Sequence, residues 1–143
     1  AKPRRMVAES IEFEGKGLEN FVLVGTDETM DIRMYPSRGE LSFRGVSICN
    51  HACSVYVRCL DWLRNYVSAP HSQTRVLFAL RYYNTSTSMV ILEIFHILEN
   101  IHRRGGDISV EWQFREGDLD MEDAGAEFAE NTLLPFHLKI LPR

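Results

Sequence analysis

The sequence predicts an α/β domain in which a single mixed β-sheet packs with about three helices. Three observations carry this expectation. Short extended runs alternate with apolar stripes at helical spacing, the pattern of strands exchanging with helices. The run "TRVLFALRYY" is β-rich and apolar enough for a central strand. The chain has 143 residues, 45% hydrophobic and 25% charged, the proportions of one domain able to bury its own core.

Taken in order, residues 1–20 read as a charged N-terminal leader with little sustained period, and residues 21–143 as the α/β domain. Regular structure is expected from Phe21 with "FVLVG". The segments "MDIRMYP" and "ELSFRG", separated by "SRG", alternate like a hairpin, with Ile32, Met34, Leu41 and Phe43 on one side. From about Ser54 the period changes: Val57, Leu60, Trp62, Leu63 and Tyr66 form a helical stripe that Pro70 ends. After the central strand comes the longest helix, about Thr87 to Arg103, with Val90, Ile91, Ile94, Phe95, Leu98 and Ile101 on a wide apolar face. Arg103 and Arg104 followed by Gly105-Gly106 supply its cationic last turn and glycine stop. "DISVEWQF" is a strand, "REGDLDMEDAG" leads into a third helix through Phe128, and "PFHLKIL" is a closing strand.

Composition narrows the function classes. A net charge of -4 argues against nucleic acid as the main partner. No stretch reaches the roughly 20 apolar residues of a membrane helix, so no membrane insertion is expected. The first residues lack the hydrophobic run of a signal peptide. Three cysteines, an odd number, fit a reduced cytoplasmic protein better than a disulfide scaffold.

Several motifs fall short of a chemistry. Cys49, His51 and Cys53 lie close together, but a zinc site wants two well-spaced ligand pairs, and Cys59 falls among apolar neighbours on a helix. No metal and no cofactor are expected. "DLDMED" alternates like the start of a calcium loop, yet the sixth and twelfth places hold Asp123 and Ala129. Helix capping and the macrodipole explain the acids equally well. "EGKGLEN" lacks the ending of a phosphate loop. The five histidines are dispersed and no nucleophile elbow is present, so a catalytic base beside a serine or threonine is not expected.

The hydroxyl cluster in "LRYYNTSTSM" is the feature that calls for a function. Thr85, Ser86 or Thr87 can cap the following helix, and one cap needs one hydroxyl. Four stand there, behind Asn84, at the end of a central strand and the start of the longest helix. Strand ends of open α/β sheets collect ligand and partner sites, and a helix start receives a phosphate readily. A phosphate added there changes the surface charge by about -1.5 to -2.

The passages "RYYNTSTSM", "LDWL" and "WQFREGDLDMEDAGAEF", in that context, resemble the SiaC family, with the likeness running from about Thr29 to Ile140. The chain departs from the family at Met89, where a lysine is common, and at "ICNHAC", where the family usually reads "YPEN". The resemblance implies a small, non-enzymatic phosphoprotein of a partner-switching circuit. It implies a serine/threonine kinase of the histidine-kinase-like ATPase type acting on Thr85, and a PP2C-like phosphatase that reverses it. The unphosphorylated form would bind and activate a diguanylate cyclase, raising cyclic-di-GMP and favouring biofilm. Tyr83, Asn84, Ser86, Thr87 and Ser88 are expected to form the rim of the partner contact. The alternatives are a small-anion-binding module and a small enzyme using the same hydroxyls.

Overall fold

A computed structural model describes residues 18–143. Its sheet has six strands: β1 (Phe21–Leu23), β2 (Asp31–Tyr35), β3 (Glu40–Ser47), β4 (Gln73–Tyr83), β5 (Asp107–Arg115) and β6 (Phe136–Leu141). The strands lie side by side in chain order, antiparallel from β1 to β3 and parallel from β3 to β6. The mixed sheet is therefore a hairpin-led half joined to a crossover half. Each parallel step needs a long connection, and a helix supplies it: α1 (Val57–Tyr66), α2 (Thr85–Arg103) and α3 (Leu119–Glu130).

Period two sorts the side chains of each strand. Ile32 and Met34, Leu41 and Phe43, Val76 and Phe78, and Val110 and Trp112 all point to one buried layer. Phe78 is its centre. Its ring stacks on Phe43 at 4.5 Å and on Trp112 at 5.5 Å, and meets Phe95 of α2 edge-on at 5.1 Å. Such pairs add about 0.5–1.5 kcal/mol each beyond the area they bury. The other layer of β2, β3 and β5 is mostly charged and polar, with Leu77 and Ala79 of β4 between, and among the described residues no helix covers it.

The first helix starts differently from its sequence pattern. Ser54–Tyr56 form a 3₁₀ turn, and Cys53 before it takes a left-handed φ of 45°. Cys59, Trp62, Leu63 and Tyr66 are the buried side of α1, whereas Val57 is exposed. Within the span read as a leader, residues 1–17 lie outside the described residues. Leu18 packs on the core, and the Glu19 carbonyl accepts a 2.7 Å hydrogen bond from Trp62 Nε1.

At the far end of α2, Gly105 takes a left-handed φ of 82° and the Gly106 amide donates to the Ile101 carbonyl, which is the glycine stop expected. Asp118 caps α3 by accepting from the Met121 amide at 3.1 Å.

Glu99 shows how the last crossover is tied to α2. Its side chain is buried and accepts from the Leu133 amide (3.0 Å), the Thr132 hydroxyl (2.9 Å) and Arg103 (2.9 Å). Burial pushes its pKa up, but the hydrogen bonds from Leu133 and Thr132 and the positive charge of Arg103 together outweigh burial and hold it below the ordinary value. A lowered folded-state pKa stabilises the ionised form, so this contribution is complete above pH 4.5 and is lost on acidification through the lowered value. An NMR pH titration should show the Leu133 amide shifting together with the Glu99 carboxyl, both below the usual glutamate range. A Glu99 midpoint at or above that range would refute the assignment.

Candidate functional site

The junction between β4 and α2 is built from a strand end, a loop and a helix start. The Asn84 amide donates to the Ser47 carbonyl (3.1 Å) and so extends the β3–β4 pairing by one bond. The Asn84 side chain then does two things at once. Its Oδ1 accepts from the Thr87 amide (3.0 Å), and its Nδ2 donates to the Cys49 carbonyl (2.7 Å). Asn84 is thus the N-cap of α2, and the helix begins at Thr85. The expectation that Thr85, Ser86 or Thr87 would cap is corrected: Asn84, one residue earlier, meets the helix with its amide oxygen and the neighbouring loop with its amide nitrogen, two separate atoms placed for two partners.

Thr87 is corrected as well. Expected on the rim, it is fully buried beneath the junction. Its hydroxyl donates to Asn84 Oδ1 (2.8 Å), shares a hydrogen bond with Ser47 Oγ (2.7 Å) and lies 3.2 Å from Cys49 Sγ. Ser47 Oγ lies 2.6 Å from the Tyr56 hydroxyl, which accepts from the Met30 amide at 2.9 Å. A buried polar chain therefore runs from β3 through Tyr56 and Ser47 to the start of α2. Every member finds a partner, which is the condition for such a network to rigidify rather than destabilise.

The remaining hydroxyls sort by exposure. Thr85 is exposed, Ser86 and Ser88 are half-buried, and Ser88 Oγ donates to the Thr85 carbonyl at 2.6 Å. Among the described residues, no hydrogen bond engages the Thr85 hydroxyl. The structure thus brings Asn84 and Thr87 into the scaffold and leaves Thr85 facing solvent. Tyr83 is half-buried, its ring 6.4 Å from both Trp112 and Phe128, and burial raises its pKa with help from the Glu127 charge.

Sequence reasoning missed what borders this spot. Met89 and Leu92, on the first turns of α2, are 62% and 42% exposed. Leu92 opens into a recess of about 370 Å³ lined by Tyr83, Ser88, Ala124, Glu127, Phe128 and Asn131. A second recess of about 400 Å³ continues between α2 and α3, past Phe95 and His96 to Thr132. The apolar tips of α2 were legible as breaks in its polar face, but their neighbours on α3 are distant in the chain.

The cysteines also differ from expectation. Cys49 and Cys53 are joined by a disulfide rather than left as reduced, buried thiols, and Cys59 is the buried free cysteine. Burial pushes the Cys59 thiol up to about 12. The disulfide closes the "CNHAC" loop against Asn84 and Thr87, so the metal-like spacing is used for a covalent clasp. Closing a loop of four residues' separation stabilises by about 2 kcal/mol on the chain-entropy account. Cys53→Ser should lower the unfolding free energy from urea titration by that amount and the midpoint with it, and reductant should bring the parent protein to the same value while leaving the variant unchanged. Equal midpoints with and without reductant would show that the bond contributes nothing.

The fold and junction define a class: two-layer α/β domains that present a hydroxyl-rich helix start at the rim of a half-open sheet. A profile described as SiaC family regulatory phosphoprotein matches residues 23–141, and the chain belongs to that family. It is 24% identical over 115 residues to an uncharacterised protein of Pseudomonas aeruginosa strain UCBPP-PA14, covering 80% of this chain and 91% of the relative. Its fold is similar to that of SiaC of Pseudomonas aeruginosa, with a TM-score of 0.78 at 22% identity over 87% of this chain and 100% of the other. It is equally similar (TM-score 0.78, 23% identity, 85% and 99% covered) to a chain in the complex of the diguanylate cyclase SiaD with its activator SiaC from the same organism.

Proposed function

We propose that this protein is a cytoplasmic, non-enzymatic adaptor whose unphosphorylated form binds and activates a diguanylate cyclase, and that phosphorylation of Thr85 ends the interaction. The kinase is of the histidine-kinase-like ATPase type and the phosphatase PP2C-like. The output is cyclic-di-GMP synthesis and biofilm growth. The observation that carries this reading is the position of Thr85. It is the one threonine of the junction that stands exposed at the helix start while Asn84 and Thr87 are occupied internally. Membership of a family of regulatory phosphoproteins and the likeness to a cyclase activator support it.

The mechanism is electrostatic. A partner surface shaped for a neutral threonine would have to bury a dianion, and desolvating an unpaired charge is costly. Met89, Leu92 and the recess beside Tyr83 offer the apolar contact that surrounds such a point, with Ser86 and Ser88 at its edge. Reconstitution tests it: the purified cyclase should make more cyclic-di-GMP with this protein than alone, and the gain should vanish after stoichiometric phosphorylation at Thr85. A gain that survives phosphorylation would overturn the switch. No gain with either form would overturn the adaptor.

A further inference from the structure

We propose that the open face of the sheet, opposite the helices, holds a binding site for a phosphate-bearing small molecule of about nucleotide size. Arg44, Arg81 and Arg115 come from three adjacent parallel strands and lie near the same, carboxyl end of the sheet. Arg44 pairs in register with Ala79, two residues before Arg81. Arg81 and Arg115 each stand three residues beyond the Phe78–Trp112 pair. Each follows a buried residue (Phe43, Leu80, Phe114), so all three leave the core side for the open one.

The three arginines surround a recess of about 310 Å³ whose lining includes Gly45 and Ala79. Both are small, and a side chain added at Gly45 would meet nothing within 4 Å, so space is left between the guanidinium groups. Two carboxylates reach the recess, and both have other partners. Asp31 accepts from Arg33 Nε (2.9 Å) and the Gly25 amide (3.0 Å), and Asp118 caps α3. Arg44 contributes to the field on Asp31 but forms no ion pair with it, and no ion pair among the described residues engages Arg81 or Arg115.

Like charges on adjacent strands repel, which costs stability unless an anion lies between them. A chain of net charge -4 that gathers three such cations is displaying a local preference for anions. Phosphate suits it best, because guanidinium forks donate to its oxygens in pairs. Arg44 also lines an adjoining recess of about 520 Å³ with Tyr35, Leu77, Ser109 and His137. That trough has an apolar floor and polar walls, and its volume is that of an ordinary small-molecule site. The phosphate sits among the arginines and the organic part lies along the trough.

The test uses the full chain and four probes: inorganic phosphate, AMP, GMP and adenosine. Amide shifts should appear at Gly45 and Ala79 with AMP or GMP, more weakly with phosphate, and not with adenosine. Arg81→Ala and Arg115→Ala should each weaken AMP or GMP binding about tenfold or more, with ligand-free thermal melts no lower than the parent's, because both side chains are exposed and their mutual repulsion is relieved. Silence at Gly45 and Ala79 with millimolar AMP and GMP would overturn the proposal. So would binding that survives the double alanine variant. If only an acidic protein surface shifts these amides, the face is a protein contact and the small-molecule site is refuted.

Discussion

Thr85→Asp is expected to weaken binding to the cyclase partner about a hundredfold, while Thr85→Ala binds as tightly as the unmodified protein. The asymmetry follows from where Thr85 sits. Its hydroxyl is exposed on the first residue of α2, so removing it uncovers no buried group. Because Asn84 provides the cap, Thr85→Ala costs the fold only a few tenths of a kcal/mol. A carboxylate in the first turn is welcomed by the helix dipole, so the aspartate form stays folded. It fails only where a partner must dehydrate it. A loss of about 3 kcal/mol in binding corresponds to the hundredfold change. Calorimetry on the three proteins, with a melt of each, decides the matter. Should alanine lose binding and phosphorylated Thr85 gain it, the site is right and the sign is reversed.

The largest effect on folding is expected at Gly125. This glycine lies in α3 against β5, and a Cβ there would overlap the Cδ1–Nε1 edge of the Trp112 ring and come within 2.6 Å of a Leu138 methyl. Trp112 cannot retreat. It is stacked on Phe78, tilted against Phe128 at 5.3 Å, and donates from Nε1 to the Met121 carbonyl at 3.0 Å. Gly125→Val must therefore push α3 off the sheet, breaking that hydrogen bond and opening the aromatic layer, at a cost of about 3 kcal/mol. Helix propensity pulls the other way, by a few tenths, since valine is a better helix former than glycine. The net should appear as a melting temperature lower by roughly 10 °C, taking the scale for a domain of this size. An unchanged melt would mean that α3 does not pack as closely as described.

The periodic part of this fold is legible in its sequence. Ile32 to Phe43 alternate because one sheet face is dry, and the Val90–Ile101 stripe repeats because one helix face is. What escapes is whatever depends on a single side chain choosing between partners. Nothing in "NTSTS" says that the amide of Asn84, and not one of four hydroxyls, will cap, because the decision lies with the Cys49 carbonyl 35 residues upstream. Thr87 reads as one more surface hydroxyl until Ser47 and Tyr56 are seen to complete its hydrogen bonds. The disulfide accompanies a left-handed turn at Cys53, a conformation that its residue type does not announce. The arginines of the open face are the ordinary polar half of three alternating strands. Only lateral register brings them together. In each case the missing information is a long-range juxtaposition rather than a local preference.

The order of the strands has a consequence for how the molecule is made. Every strand pairs with the one that precedes it in the chain, and each helix bridges two adjacent strands. Such a sheet keeps the entropy of loop closure low at every step, because no strand waits for a distant mate. A chain emerging from the ribosome can add β4 to an existing β1–β3 hairpin unit, then α2 and β5, then α3 and β6, each new piece covering the surface its predecessor left bare. One edge of the sheet, β1, is fixed from the start, and the other is always the newest strand, so the edge exposed by growth moves along the chain and passes finally to β6.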